Sequence, residues 1–376
     1  MTPIVGAIRR GRQSRRSRRK VGLLGWAPRD QVPCARTLRV TRIDSARTQI
    51  PEENAMSSKS VPRGAIVVGV DGSSVSDLAL DWAVEEATRR RLPLHIIHAF
   101  SYGYPMTNMG MGYAIDDLRQ LADGVNEDAV ARARRANPEL VITWSDPAYG
   151  PAPALVGASE AADTVVVGAR GMSAARGVLM GSVSVQVAAH ARCPVVVVHD
   201  TPDAAAAGGP IVVGVDGSAL STNAIAYAYA QASSRGVGLT VVHAWWLEYV
   251  EGASTTAIWT TDWQDFAQEE QALVAESLAG WQEKYPDVAV RRHSVRGLPV
   301  EALVRQSENA CLVVVGTRGR GGFAGLLLGS VSQAVMHRAH CPVAIIRGPK
   351  ESQHDREDKD ASGEFKHPVP PEREHT

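Results

Sequence analysis

An identical eight-residue sequence, Ile-Val-Val-Gly-Val-Asp-Gly-Ser, occurs at 66–73 and again at 211–218 of this 376-residue chain. A second pattern also recurs: a valine run ends in G-x-x-G, and nine residues later comes G-S-V-S, at 165–184 and at 313–332. The repeat distance is 145 residues for the first pattern and 148 for the second. Because these distances far exceed a solenoid repeat, the sequence predicts a tandem duplication of one whole domain.

Each copy alternates valine- and isoleucine-rich segments with helical patterns. Continuous apolar strands that alternate with helices are typical of a parallel sheet covered by helices on both faces. Right-handed crossovers then favour a doubly wound sheet. We therefore expect an α/β fold of two tandem doubly wound, Rossmann-like domains, each with a five-stranded parallel sheet in the order 3-2-1-4-5. The predicted strands lie near 65–70, 94–99, 140–145, 164–167 and 194–199, and near 211–215, 239–244, 288–294, 312–316 and 342–346.

Composition marks the ends of the two domains. The stretch between the copies is rich in proline, glycine and alanine, as linkers are. The last residues are charged and proline-rich without apolar periodicity, which predicts a disordered tail. The predicted segments are a first domain at 62–200, a linker at 201–210, a second domain at 211–348 and the charged tail at 349–376.

The beginning of the chain differs in charge from the rest. Residues 1–55 contain 13 Lys and Arg against four Asp and Glu, whereas the remaining chain contains 27 against 36. Met56 is followed by Ser-Ser-Lys-Ser and then by the first predicted strand, as at a native start. We interpret 1–61 either as a disordered basic arm or as upstream sequence included through a start-site error. A twin-arginine export signal is disfavoured because the apolar stretch after Arg19 is short and ends at Pro28.

The acidic remainder of the chain argues against sequence-independent nucleic-acid binding, which relies on clustered lysine and arginine. The four cysteines form no C-x-x-C pair, so a reducing cytoplasm is the expected compartment. The sequence contains no apolar run near the roughly 18 residues that span a bilayer. We therefore expect neither nucleic acid nor a membrane among the partners.

The recurrent glycine pattern has the properties of a phosphate cradle. Glycine accepts positive φ and has no Cβ, so backbone N–H groups can approach an anion, and a following helix N-terminus adds partial positive charge. In a sheet of order 3-2-1-4-5, the carboxyl ends of strands 1 and 4 meet where the strand order reverses. Asp71 and Gly168 follow those strands in the first copy, and Asp216 and Gly316 follow them in the second. A carboxylate is therefore expected opposite each glycine loop.

Residues 62–348 resemble the universal stress protein family in its tandem, nucleotide-binding form. The ATP motif of that family is G-x-x-G, nine residues, then G-[ST], and both copies match it in full. The resemblance implies an ATP site in each half, with or without Mg²⁺, and pairing of the two halves through their last strands. A homodimer of whole chains is compatible with it.

The resemblance also implies roles for individual residues. Asp71 and Asp216 would contact the adenosine part of the nucleotide, and Ala99 and Ala244 would meet adenine through their backbone. The glycine loops and the helix starts that follow them would hold ribose and phosphates. The implied ATP-binding residues are Gly69, Asp71, Ala99, Val167, Gly168, Arg170, Gly171, Gly181, Ser182, Val183 and Ser184 in the first copy, and Gly214, Asp216, Ala244, Val315, Gly316, Arg318, Gly319, Gly329, Ser330, Val331 and Ser332 in the second.

Several of these positions have a second interpretation. Arg170 and Arg318 either contact a terminal phosphate or are solvated loop charges. Ser182 and Ser330 are phosphate ligands, helix N-caps or both. The two aspartates each precede a glycine and also fit a turn.

We predict an ATP-binding stress-response protein that acts as a nucleotide-dependent switch or sensor. Two alternatives remain: a slow ATPase or phosphotransferase, and an interaction protein whose nucleotide sites are vestigial. Turnover is disfavoured because no G-x-x-x-x-G-K-[ST] occurs, no lysine lies between Lys59 and Lys284, and no cluster of metal-binding carboxylates is evident. No catalytic residue is assigned, and His98 and His243 are interpreted as hydrogen-bonded histidines near the site.

Overall fold

The fold is described from a computed structural model. The described residues are 55–57, 60–99, 115–147, 149–172, 180–200, 208–245, 263–319 and 327–348. The predictions for residues 1–54 and for the tail at 349–376 lie outside the described residues, as does most of the predicted linker.

Strands and helices alternate along both halves, as the sequence predicts. The first half contains β1 (Ala55–Ser57), β2 (Ile66–Gly69), α1 (Ser74–Arg90), β3 (Leu94–Ile97), α2 (Ile115–Ala136), β4 (Ile142–Ser145), α3 (Pro151–Ala158), β5 (Thr164–Gly168), α4 (Ser182–His190) and β6 (Val195–Val198). The second half contains β7 (Ile211–Gly214), α5 (Ala219–Arg235), β8 (Leu239–Trp245), α6 (Trp263–Ser277), α7 (Trp281–Lys284), β9 (Val290–Arg296), α8 (Pro299–Ser307), β10 (Leu312–Gly316), α9 (Ser330–Arg338) and β11 (Val343–Ile346).

The strands form one sheet in the order β1-β4-β3-β2-β5-β6-β11-β10-β7-β8-β9. Within each half the neighbouring strands are parallel, and the five strands common to both halves follow the order 3-2-1-4-5. The predicted α/β fold of two tandem parallel-sheet domains is therefore confirmed. The last strands, β6 and β11, pair antiparallel and join the two sheets. The halves thus meet through their last strands, as the family resemblance implies.

Strand β1 was not predicted. Ala55–Ser57 pairs in parallel with Ile142–Trp144 of β4 and extends the edge of the first sheet. These three residues fall within the segment 1–61, which we interpreted either as a disordered basic arm or as upstream sequence, and the structure places them in a strand. A segment of three residues carries no strand periodicity of its own, and its pairing depends on the N–H and C=O groups that an edge strand offers.

The sheet is covered on both faces by apolar side chains. Val68 of β2 belongs to the buried cluster on the side of α1, α2, α5 and α6, whereas Val67 belongs to the cluster on the side of α3, α4, α8 and α9. Both clusters contain residues of both halves. The two halves therefore share a continuous core on each face of the sheet, which fixes the position of one glycine loop relative to the other.

A buried histidine links β3 to β4. His95 is 0% exposed, with Nδ1 at 2.7 Å from Thr143 Oγ1 and Nε2 at 3.1 Å from Ser145 Oγ. Burial lowers the pKa of His95 to about 4, because the apolar surroundings disfavour the charged imidazolium. In an unfolded chain the pKa of histidine is about 6.5.

We expect the free energy of unfolding to fall by about 2 kcal/mol between pH 7 and pH 5 through His95 alone. Below about pH 6.5 the histidine of the unfolded chain takes up a proton, whereas His95 of the folded chain does so only near pH 4. The free energy of unfolding therefore falls as the pH decreases from about 6.5 towards 4. Urea unfolding at both pH values measures it. His95→Gln should show the smaller pH dependence, and equal pH dependence in the two proteins would contradict this assignment.

Candidate functional site

A cavity of about 580 Å³ lies in the first half at the carboxyl ends of β2 and β5, where the strand order reverses. All eleven residues predicted for the first site line it. They are Gly69, Asp71, Ala99, Val167, Gly168, Arg170, Gly171, Gly181, Ser182, Val183 and Ser184.

The second half has an equivalent cavity of about 480 Å³ at the carboxyl ends of β7 and β10. All eleven residues predicted for the second site line it. They are Gly214, Asp216, Ala244, Val315, Gly316, Arg318, Gly319, Gly329, Ser330, Val331 and Ser332.

The aspartate of each cavity accepts hydrogen bonds from backbone N–H groups. Asp71 Oδ1 accepts from Ser73 N at 3.0 Å, and Asp71 Oδ2 accepts from Met172 N at 2.8 Å. Asp71 therefore forms the predicted Asp-Gly turn and also connects that turn to the glycine loop. In the second half, Asp216 Oδ1 accepts from Ser218 N at 3.0 Å and from Ser218 Oγ at 2.7 Å. Each carboxylate thus lines the same cavity as the start of the helix that follows the glycine loop.

The second glycine of each G-x-x-G pattern lies directly against this carboxylate. A Cβ added to Gly319 would lie 2.5 Å from Asp216 Oδ2, and a Cβ added to Gly171 would lie closer still to Asp71 Oδ2. Real Cβ atoms do not approach oxygen so closely, so any other residue would displace the loop or the aspartate. A glycine is needed at this position because only a residue without a Cβ lets the loop backbone approach the aspartate so closely.

The helix that follows each loop starts at the cavity with a glycine cap. Gly181 is the N-cap of α4 and Gly329 is the N-cap of α9, and neither cap is closed by a side-chain hydrogen bond. Ser182 and Ser330 are therefore the first helical residues and not the N-caps that the sequence also allowed. The first N–H groups of a helix lack partners within the helix, and together with the helix dipole they favour an anion.

The serine two residues further on holds the loop against the helix. Ser184 Oγ donates to Gly168 O at 2.8 Å, and Ser332 Oγ donates to Gly316 O at 2.5 Å. Both serines are buried. Their hydroxyl groups therefore fix the positions of the Gly168 and Gly316 carbonyl groups relative to the helix that follows.

A model of the universal stress protein family matches residues 63–199 and 209–347. The chain belongs to the universal stress protein family. The universal stress proteins Rv2623 and Rv2005c of Mycobacterium tuberculosis are each 40% identical to it, over 294 and 304 residues. These matches cover 75% and 77% of this chain and 96% and 99% of the two relatives. A universal stress protein from Archaeoglobus fulgidus has the same fold, with a TM-score of 0.55 and 22% identity over 77% of this chain and 98% of that one.

Further residues of this universal stress protein line the cavities, and the sequence did not single them out. Leu155 of α3 lies beneath Gly69, and Leu303 of α8 lies beneath Gly214, where a Cβ would come within 2.9 and 3.1 Å of them. The other lining residues not predicted are Val70, Ser76, Ile97, Pro151, Met172 and Met180 in the first half and Val215, Ser221, Val242 and Pro299 in the second. His98, which we predicted near the site, also lines the first cavity. Four pairs are identical residues at a repeat distance: Pro151 and Pro299, and Leu155 and Leu303, are 148 residues apart, and Val70 and Val215, and Ser76 and Ser221, are 145 apart. Identity between the copies was the signal that could have found them.

His98, directly after β3, and His243, within β8, are hydrogen-bonded, as predicted. His98 Nδ1 lies 2.9 Å from Val70 O, and His243 Nδ1 lies 2.7 Å from Val215 O. His243 Nε2 also lies 2.5 Å from Glu270 Oε2 of α6. The carbonyl groups that they contact directly follow β2 and β7, so both rings stabilise the backbone beside the cavity.

Within the part of the chain that the structure describes, no helix is both long enough and apolar enough to cross a bilayer.

Proposed function

We propose that this protein binds ATP in each of its two cavities and acts as a nucleotide-dependent switch or sensor in a stress response. The observation that carries the proposal is the contact between a glycine loop and a carboxylate, at Gly171 and Asp71 and again at Gly319 and Asp216. It occurs beside a helix start that has no side-chain cap. An arrangement of this kind suits a ligand with an anionic end and a hydroxyl-bearing end.

The dimensions and lining of the cavities suit a nucleotide. Volumes of about 480 and 580 Å³ fall within the range of small-molecule pockets, about 300–1,000 Å³. The phosphates would meet the N–H groups at Gly181–Ser184 and the guanidinium of Arg170, all of which line the first cavity. Asp71, which also lines this cavity, would accept hydrogen bonds from the sugar. Ile97 and Leu155 supply an apolar surface for the base.

The hydrogen bonds of Asp71 and Asp216 are consistent with a protein that binds ATP without hydrolysing it rapidly. Asp71 is held by the N–H groups of Ser73 and Met172, and Asp216 is held by Ser218. A carboxylate that accepts two donors is stabilised as an acceptor, whereas phosphoryl transfer needs a group that orients or deprotonates the attacking nucleophile. A sensor needs only that the nucleotide binds, with or without Mg²⁺.

The proposal places this binding in the cytoplasm. Cys193, Cys311 and Cys341 are buried free thiols. Burial raises the pKa of Cys193 and Cys341 to about 12, so both are protonated and inert at neutral pH. Free thiols are typical of proteins in a reducing compartment.

Calorimetric titration of the full chain with ATP tests the proposal. Asp71→Asn combined with Asp216→Asn is expected to weaken ATP binding at least about tenfold, because each change removes the charge that holds the loop and would bind the sugar. Asp128→Asn, on the exposed side of α2, is the matched control and should leave the affinity unchanged. No detectable binding by the unmodified chain would refute the proposal.

Phosphate release separates the switch from the ATPase. With ATP in excess, a switch releases less than about one phosphate per chain over an hour. Release of many phosphates per chain, abolished by the paired aspartate substitutions, would instead favour a slow ATPase.

A further inference from the structure

Each half of the molecule contributes one side chain that contacts the other half across the antiparallel pair of β6 and β11. His199 follows β6, and its Nε2 lies 2.7 Å from Met336 O in the last turn of α9. Arg347 follows β11, and its guanidinium donates to Ala189 O in the last turn of α4. Positions 199 and 347 are equivalent in the repeat, since they are 148 residues apart. The two donors therefore occupy equivalent positions and differ in chemistry, while their acceptors, Met336 and Ala189, differ by one position in the repeat.

The acceptors of these contacts are orphan carbonyl groups. The last carbonyls of a helix have no partner within it and carry its partial negative charge, so an imidazole N–H or a guanidinium stabilises them. Ala189 and Met336 lie at the ends of α4 and α9, and the opposite ends of these two helices start at the two cavities. Each helix has nine residues, a length of about 14 Å. Each cavity helix is thus held at its far end by the other half.

The arginine in the glycine loop of each half also affects the side chain that crosses to the other half: Arg170 acts on His199, and Arg318 acts on Arg347. Burial lowers the pKa of His199, and the charge of Arg170 acts in the same direction. Burial likewise lowers the pKa of Arg347, with Arg318 and Arg192 acting in the same direction. His199 is consequently neutral at pH 7, and the contact with Met336 is made by a neutral N–H donor.

We propose that His199 and Arg347 are positioning residues that act crosswise on the two nucleotide sites. Arg347 of the second half orients α4 at the first cavity, and His199 of the first half orients α9 at the second cavity. The inference rests on the proposed nucleotide binding. It adds that each site is complete only when the other half is docked.

Short helices make such an effect at a distance physically reasonable. Each of these helices has nine residues, so we expect it to move as one unit and loss of the contact at its end to tilt the N–H groups at its start. Hydrogen bonds to an anion weaken steeply when the donor angle changes. The affinity of the site should therefore respond although the substituted residue lies in the other half and at the far end of the helix.

The test uses two variants of the full chain that each retain one site. Gly319→Ala disables the second cavity and Gly171→Ala disables the first, because each added Cβ meets an aspartate oxygen. In the Gly319→Ala chain, Arg347→Met is expected to weaken ATP binding about fivefold to tenfold, and His199→Leu less than about twofold. In the Gly171→Ala chain, the order of these two effects should be reversed.

Conservative variants separate positioning from a general loss of packing. Arg347→Lys and His199→Gln keep a donor at the same place and should recover most of the lost affinity. Arg192→Met is the matched control, since Arg192 is a nearby cation that pairs with Glu160 instead of a helix carbonyl. It should leave both sites unchanged.

Hydrogen exchange gives a readout that needs no nucleotide. Arg347→Met should accelerate amide exchange in the first turn of α4 and not of α9, and His199→Leu should do the opposite. Equal weakening of both sites, weakening confined to the substituted half, or unchanged affinity and exchange would each overturn the inference. If neither single-site chain nor the unmodified chain binds ATP while the exchange pattern is crosswise, the proposed function fails and the positioning role stands.

Discussion

Replacement of both Gly171 and Gly319 by alanine is expected to weaken ATP binding at least about 100-fold at each cavity, about 2.7 kcal/mol. At each position a Cβ would collide with an aspartate oxygen, at 2.5 Å for Gly319 and closer for Gly171. In the first half that oxygen also accepts the hydrogen bond from Met172 N. Either the aspartate leaves its place or the loop withdraws from the cavity, and both changes remove groups that would contact the nucleotide. Calorimetric titration with ATP measures the loss.

A glycine elsewhere provides the control for this variant. Gly124 lies in α2, and a Cβ added there would meet nothing within 4 Å. Gly124→Ala should keep the affinity of the unmodified chain and should stabilise the helix by about 1 kcal/mol. Affinity in the paired glycine variant equal to that of the Gly124→Ala control would show that the loops do not form the site.

Glu86→Gln is expected to lower the free energy of unfolding by about 3 kcal/mol. Glu86 is 0% exposed at the contact of α1 with α5. Its Oε1 accepts from Gln231 Nε2 at 2.7 Å, and its Oε2 accepts from Arg235 at 2.7 Å and from Arg89. Removal of the charge leaves two guanidinium groups half-buried without their carboxylate. Urea unfolding measures the loss.

The repeat offers a compensating substitution for this variant. Positions 86 and 231 are equivalent, since they are 145 residues apart. Gln231 Oε1 already lies 3.1 Å from Arg235 Nε and 3.5 Å from the Arg89 guanidinium. The chain carrying both Glu86→Gln and Gln231→Glu should therefore recover most of the lost stability. A double variant no more stable than Glu86→Gln would show that a carboxylate at position 231 does not replace the one at position 86, and would contradict this expectation.

The main features of the fold could be predicted because each depends on a short sequence pattern, and both halves contain the same patterns. Uninterrupted valine runs such as 165–167 are buried strands, and the fixed spacing from Gly168 to Gly181 takes the chain from a strand end to a helix start. The carboxylate and the glycine loop then meet because parallel strands place their carboxyl ends on one edge. All the predicted lining residues reach the cavities for this reason.

The remaining features depend on contacts that no local pattern encodes. Strand β1 has three residues and depends on the edge of β4. The cap of α4 is Gly181 and not Ser182, a shift of one residue that composition does not determine. The crossing of His199 and Arg347 to the opposite helices depends on how the two halves dock. Leu155 lies beneath the cavity because of the packing of α3 on the sheet, and only its match to Leu303 in the repeat marks it.

Native mass spectrometry of the full chain during titration with ATP tests the central claim most directly, because it counts bound nucleotides. Two duplicated cavities predict two nucleotides per chain, and one per chain in either Gly171→Ala or Gly319→Ala. A chain that binds no nucleotide at millimolar ATP, or that still binds two when both glycines are replaced, would contradict the account.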